Sequence, residues 1–345
     1  MRSCPLRPVL TALSLGTLLF AACGPADSAR RDLLAYLADE VIEPRQAELA
    51  QAAVTLAGAT RSLCSSGEPG PARTAWLALR AHWGVTAAFA FGPVIDQAQA
   101  GPLDYWPVRS DTIEAAITGA PAAIDGAYID GLGTSAKGMP ALEYLLFAPP
   151  TPTGPRCDYA VALADDIERR CAEIAAAWHD EHAEALRNAG HGSAVYPSEQ
   201  AGLDAVVNAT IENLYRVVKT KLDRPLGNLT GSDPDGSLVE SRFSDNGHND
   251  IAANLDGFER AYVHEGLASL VAAKNPDLDQ RIVDQLATAR IALTAVPRSL
   301  QDAVVDQRGA VQTLRDEVDA LRRLIKLDVA SLLGVTLSLS DNDGD

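Results

Sequence analysis

Two imidazoles three residues apart, in His179-Asp180-Glu181-His182, are an arrangement that could grip a metal. On a helix that spacing places both rings on one face. A zincin-type peptidase needs His-Glu-x-x-His, with spacing four and the glutamate as base, and the pattern occurs nowhere in the chain. The pair lies in a polar stretch ahead of Gly190, so a solvated helix end is expected, and the nearby His191 changes this little. His264-Glu265 falls on an amphipathic stretch and is expected at the surface or in packing. Asp341-Asn342-Asp343-Gly344-Asp345 is similar to the opening of a calcium loop, but no bidentate glutamate closes it, and calcium is not expected there. No Gly-x-Ser-x-Gly elbow is present. No residue is therefore assigned a catalytic role.

Five cysteines occur, at positions 4, 23, 64, 157 and 171. Arg2 and Arg7 precede a 14-residue apolar and small stretch, Val9 to Ala22, too short to span a bilayer and suited to a secretory signal. It ends Leu19-Phe20-Ala21-Ala22-Cys23, which resembles the lipobox of bacterial lipoproteins, with Phe20 where an aliphatic residue is usual. The expectation is a signal peptide over residues 1–22 and a lipid on Cys23. Gly24 rather than Asp follows, so in a two-membrane cell the anchor is expected in the outer membrane, facing the periplasm. Export brings the chain where disulfides form. Cys64 and Cys157 sit at element boundaries and are the favoured pair, while Cys171 lies among apolar helix residues as a small buried hydrophobe. All three pairings stay open on sequence alone.

The elements that must position these groups are helical. Of 345 residues 59 are alanine, and aromatics make up only 5%, a balance that favours closely packed helices over a β-sandwich. Helices are predicted over about 27–64, 71–92, 112–117, 141–147, 157–188, 198–223, 249–273, 277–294 and 299–333, with Pro44 marking a kink. Trp76 and Trp83, seven apart, share a face expected in the core. Residues 227–247 are rich in Gly, Ser, Asp and Asn and read as a loop. The fold class is all-α. Two helical bundles, 23–195 and 196–345, suit this length better than one. The net charge is −17, and losing Arg2 and Arg7 with the signal takes it to −19. Nucleic acid, which needs a basic face, is excluded as a partner.

The segment Gly138-Met139-Pro140-Ala141-Leu142-Glu143-Tyr144-Leu145-Leu146-Phe147 resembles the signature of the imelysin family, which includes bacterial insulin-cleaving membrane proteases and iron-regulated proteins. Trp76 to Trp83, followed by Phe91-Gly92-Pro93, is similar to the family's second helix. So are Asp104-Tyr105-Trp106-Pro107, Glu240 to Ser244, Asp250 to Leu255, and the tail from Leu333 to its Asp-rich end. The resemblance implies two related helical bundles and an envelope protein linked to iron. It implies a metal near the signature helix, iron or another divalent or trivalent cation, with Glu143 and Asp104 as oxygen ligands and Arg80 and Trp83 as support.

One departure bears on the chemistry. The signature histidine falls at Pro140, which offers no side-chain ligand, although proline suits the start of a helix. Transition-metal sites draw on imidazole or thiolate, so the fold is expected to survive and the site to change. Glu143 could ligate or pair with Arg80, and Asp104 could ligate or cap a turn. Arg80 is expected to pair with an acid inside the bundle. The favoured function is a non-catalytic, envelope-anchored lipoprotein that binds or takes up iron, with an envelope iron-transport or redox partner. The alternatives are a metallopeptidase and a metal-free scaffold that docks a partner.

Overall fold

The computed structural model describes residues 25–96, 98–263 and 265–338. Cys23, His264 and the residues 341–345 lie outside them. Every element among the described residues is helical. The first rod runs through α1 (Pro25–Tyr36), a π-helical turn Leu37–Ile42, and α2 (Glu43–Ser66). Pro44 sits in the first turn of α2, where its missing N–H is harmless, and the kink predicted there is met by the preceding π-helical turn.

Next come α3 (Gly70–Thr86), short helices Ala100–Leu103 and Ser110–Thr118, and the signature helix α4 (Gly138–Phe147). Then follow α5 (Pro155–Ala177) and α6 (Glu199–Arg216), each continued by a π-helical segment, Trp178–His182 and Val217–Asp223. The Ser198 hydroxyl starts α6 by accepting the Ala201 N–H at 3.1 Å, satisfying one of the orphan donors of a helix start. The last long helices are α7 (Gly247–Tyr262), α8 (Pro276–Ala295) and α9 (Arg308–Arg323). Two predicted helices are each split in two. The helix expected over 249–273 stops at Val263, whose extended backbone (ψ 160°) ends α7, and restarts as Leu267–Lys274. The one expected over 299–333 breaks at Gln307, between Leu300–Asp306 and α9.

Helix α2 packs against α3 and α5, α3 against α7, and α8 against α9. One continuous apolar cluster runs from Leu33 to Leu333, so residues on both sides of position 195 share a core. Trp76, Tyr159, Trp178 and Tyr262 are fully buried in it. Burial of each large apolar side chain contributes about 1.5–3 kcal/mol. Small alanines on α2 and α5 let their backbones approach, the arrangement the alanine content implied.

Cys64 closes the end of α2 onto Cys157 at the start of α5 through a disulfide that spans 93 residues. Cys171 is a free, buried thiol, and desolvation pushes its pKa up to about 12. A thiol held protonated in this way is unreactive.

Candidate functional site

The buried face of α3 carries Trp76, Arg80 and Trp83 at successive helical turns. Arg80 is 3% exposed, and burying a guanidinium among tryptophans is tolerated only with charged partners. It finds three. Nη1 donates to Asp104 Oδ1 at 2.5 Å, and Nη2 donates to Asp250 Oδ2 at 2.9 Å. Glu240 Oε2 lies 3.6 Å from the same Nη2. Burial opposes the charge on Arg80, but Asp104, Asp250 and Glu240 outweigh it and raise its pKa further. Burial also works to raise the Asp104 pKa. The charges of Arg80, Lys221 and Arg216, with the Trp83 hydrogen bond, win and hold it below the usual carboxylate range.

Each acid reaches this centre on a different segment. Asp104 ends the short helix Ala100–Leu103, and its Oδ2 accepts from Trp83 Nε1 at 2.7 Å. Asp250 sits in the first turn of α7 and also accepts from Ser241 Oγ at 2.5 Å and Asn246 Nδ2 at 2.7 Å. Glu240 accepts from Lys221 Nζ at 2.5 Å. Lys221 stands on the π-helical segment Val217–Asp223, an irregular turn of the kind that often re-aims side chains at sites.

The signature helix supplies the second half of the site. Gly138 has φ +78°, and a Cβ there would meet the carbonyl oxygens of Pro102 at 2.4 Å and Leu103 at 2.6 Å. The glycine therefore lets α4 start against the turn that presents Asp104. Gly138→Ala is expected to lose about 1–3 kcal/mol from backbone strain alone, more with the clash, as read by urea denaturation. A loss under about 0.5 kcal/mol would contradict this role for the glycine. Pro140 and its neighbours are buried, and Trp76 Nε1 donates to the Met139 carbonyl at 3.0 Å, pinning the first turn of α4 to α3.

Glu143 does not pair with Arg80. Its Oε1 accepts from the Ser244 N–H at 2.8 Å and the Ser244 hydroxyl at 2.7 Å, and its Oε2 has no hydrogen-bond partner. It is 1% exposed. Desolvation dominates and pushes its pKa up to about 7, against the Ser244 bonds and the Arg80 charge. Between its ordinary value near 4.5 and 7 the folded chain holds a proton that the unfolded chain has released. This contribution to stability is full below 4.5 and is lost as the pH rises through 7. Glu143→Gln should flatten that part of the curve. Parallel stability-versus-pH profiles for the two proteins would show that Glu143 stays ionised.

A resident metal finds no ligand set here. The Asp104 oxygens serve Arg80 and Trp83, Asp250 serves Arg80, Ser241 and Asn246, and position 140 offers no donor. Among the described residues no group of three His, Cys, Asp or Glu could hold a metal ion. Of the two residues that the resemblance offers as ligands, Asp104 accepts from Arg80 and Trp83, and Glu143 accepts from Ser244 through Oε1 while Oε2 has no hydrogen-bond partner.

The histidine pair separates. His179 is exposed, and its Nδ1 lies 2.5 Å from Glu43 Oε1. His182 is buried against Trp178 and Phe91, with Nε2 2.9 Å from the Tyr196 hydroxyl. The expected solvated end is thus corrected for His182. It continues the buried face of Cys171, Ile174 and Trp178, and Gly92 (φ +58°) leaves room where a Cβ would stand 2.2 Å from its Nε2. His191 Nε2 lies 2.8 Å from Glu199 Oε1.

Sequence reasoning assigned no role to Glu240, Ser241, Ser244, Asp250, Asn246 or Lys221. One signal was available: a core-facing arginine demands acids, and Asp250 falls on the same apolar face of α7 as Ile251 and Asn254.

These features define an all-helical protein built around a buried ion-pair centre. The sequence model of the imelysin family matches residues 42–327, and the chain belongs to that family. It is 27% identical over 325 residues to iron-regulated protein A of Synechococcus elongatus, covering 88% of each chain. An imelysin-like protein from Psychrobacter arcticum superposes with a TM-score of 0.77 at 20% identity, over 91% of this chain and 98% of that one. An iron-regulated protein A precursor from Parabacteroides distasonis gives 0.79 at 20% identity, over 91% and 97%. The two structures share the fold.

Proposed function

We propose that this chain is an exported, lipid-anchored and non-catalytic imelysin-family protein that serves iron physiology at the envelope as a docking scaffold. One observation carries the non-catalytic reading. Asp104, Glu240 and Asp250 are neutralised by Arg80 and Lys221, and Glu143 of the signature helix is 1% exposed and out of reach of solvent. A general base or a metal-bound water needs a carboxylate that substrate can reach, and here three acids are held by internal partners while Glu143 is closed off by burial.

The iron link is supported by the name of the Synechococcus relative, iron-regulated protein A. The anchor is proposed at Cys23, with the chain on the outer membrane facing the periplasm. No helix of the described residues is long and apolar enough to cross a membrane. The proposed units 23–195 and 196–345 place Arg80 and Asp104 in one half and Glu240 and Asp250 in the other. The ion pairs would then join two bundles, and a transport or redox partner would dock on the joined body.

A deletion strain tests this. It should grow poorly under iron chelation and recover with the wild-type chain, but not with Cys23→Ser, which should also lose label from a palmitate analogue. Pure protein should leave a peptide library intact. Hydrolysis that disappears in Glu143→Ala would overturn the non-catalytic reading, and normal growth of the deletion strain under chelation would overturn the iron link.

A further inference from the structure

We propose that Asp104, Glu240 and Asp250 form a guanidinium receptor built into the chain, with Arg80 as its tethered ligand. The contacts involve the head of the side chain. Nη1 and Nη2 meet Asp104 and Asp250 at 2.5 and 2.9 Å, while Nε has no hydrogen-bond partner. The Trp76 ring lies below, with its centroid 5.8 Å from Arg80 Cζ. A planar, weakly hydrated cation suits an aromatic wall and flanking carboxylates, whereas a strongly hydrated metal ion gains nothing from the ring.

The receptor does not depend on Arg80 for its shape. Trp83 holds Asp104, Ser241 and Asn246 hold Asp250, and Lys221 holds Glu240. Lys221 balances one of the three acids, and the remaining two face the guanidinium. Shortening Arg80 therefore leaves a preformed, negatively charged hollow of the right size and chemistry for free guanidinium. In the intact chain the same interaction fastens α3 to the Asp104 turn and to α7, the task that a bridging cation would otherwise perform. This goes beyond the proposed physiology and does not rest on it: the test below is made on purified protein, and its failure leaves the growth experiments standing.

The experiment compares wild type, Arg80→Ala, and Arg80→Ala combined with Asp250→Asn, each titrated with millimolar guanidinium chloride, sodium chloride or urea. Arg80→Ala should melt lower than wild type. Guanidinium alone should raise its melting temperature by several degrees in a saturable way. Wild type and the double variant should show no such rise. Equal responses of Arg80→Ala to guanidinium and to sodium chloride would overturn the proposal. Should Arg80→Ala fail to fold, nitrogen-15 spectra of wild type decide. The Arg80 Nη signals should exchange slowly with water and ignore substoichiometric manganese. Fast exchange, or selective broadening by manganese, would overturn the receptor.

Discussion

Asp250→Ala will lower the unfolding free energy by about 3–5 kcal/mol, the range for removing one partner of a buried ion pair. The magnitude follows from what is stranded. Arg80 loses a bond at 2.9 Å, and the Ser241 hydroxyl and Asn246 amide lose their acceptors, all in a centre where Asp250 is 2% exposed. Each unsatisfied buried donor costs about 1–3 kcal/mol, partly offset because Arg80 keeps Asp104. Asp250→Asn keeps the shape and an acceptor and should fall between Ala and wild type. Glu259→Ala is the control. Its pairing with Arg290 is exposed, and such pairs contribute about 0.2–1 kcal/mol. Urea denaturation reads all three. Loss of less than about 1 kcal/mol in Asp250→Ala would mean that the centre is wet and the ion pair solvated.

The paired substitution Cys64→Ala with Cys157→Ala will destabilise the chain by about 4–5 kcal/mol in the chain-entropy model, because the bond closes a loop of 93 residues in the unfolded chain. The effect works on the unfolded ensemble, so the folded structure should keep its helical circular dichroism at moderate temperature. Reduction of wild type should reproduce the shift, and reduction of the double variant should change nothing. Cys171 serves as an internal standard. Buried, it should resist thiol reagents until the chain unfolds. If wild type melts equally with and without reductant, the cross-link does not restrain the unfolded state. Asp250 and this disulfide share no contacts, so their effects should add.

The all-helical class was legible because it rests on patterns that repeat over many residues. Alanine content, the spacing of Trp76 and Trp83, and Ser198 ahead of an apolar run each point to helix, and tertiary packing agrees with them. The disulfide was favoured because both cysteines flank helix ends, although sequence left three pairings. The π-helical segments were not legible. They shift side chains by a fraction of a turn, and no residue type marks them. His182 was missed for a different reason: its polar neighbours Asp180 and Glu181 hide that it continues the buried face of Cys171, Ile174 and Trp178.

The site was half legible. Arg80 falls on the apolar face of α3, so its need for an acid was evident, and Asp104 stood in a recognisable segment. Asp250 and Glu240 lie 170 and 160 positions away from Arg80 along the chain, and only the packing of α3 on α7 brings them in. Glu143 is the instructive residue. The resemblance pointed to ligand chemistry, and Pro140 pointed away from it. In the structure Ser244 takes one oxygen of Glu143, the other has no hydrogen-bond partner, and burial raises the pKa of the group. The acidity of the whole chain played no part in that outcome. Burial and the charges and donors around each carboxylate set its state.

The most direct test of whether Arg80, and not a metal, owns this centre is elemental analysis of tag-free protein purified after growth with ample iron, followed by titration with iron and zinc. The purified chain should carry no stoichiometric metal and show no uptake that depends on Glu143 or Asp104. One equivalent of iron or zinc per chain, lost in Glu143→Ala, would contradict this.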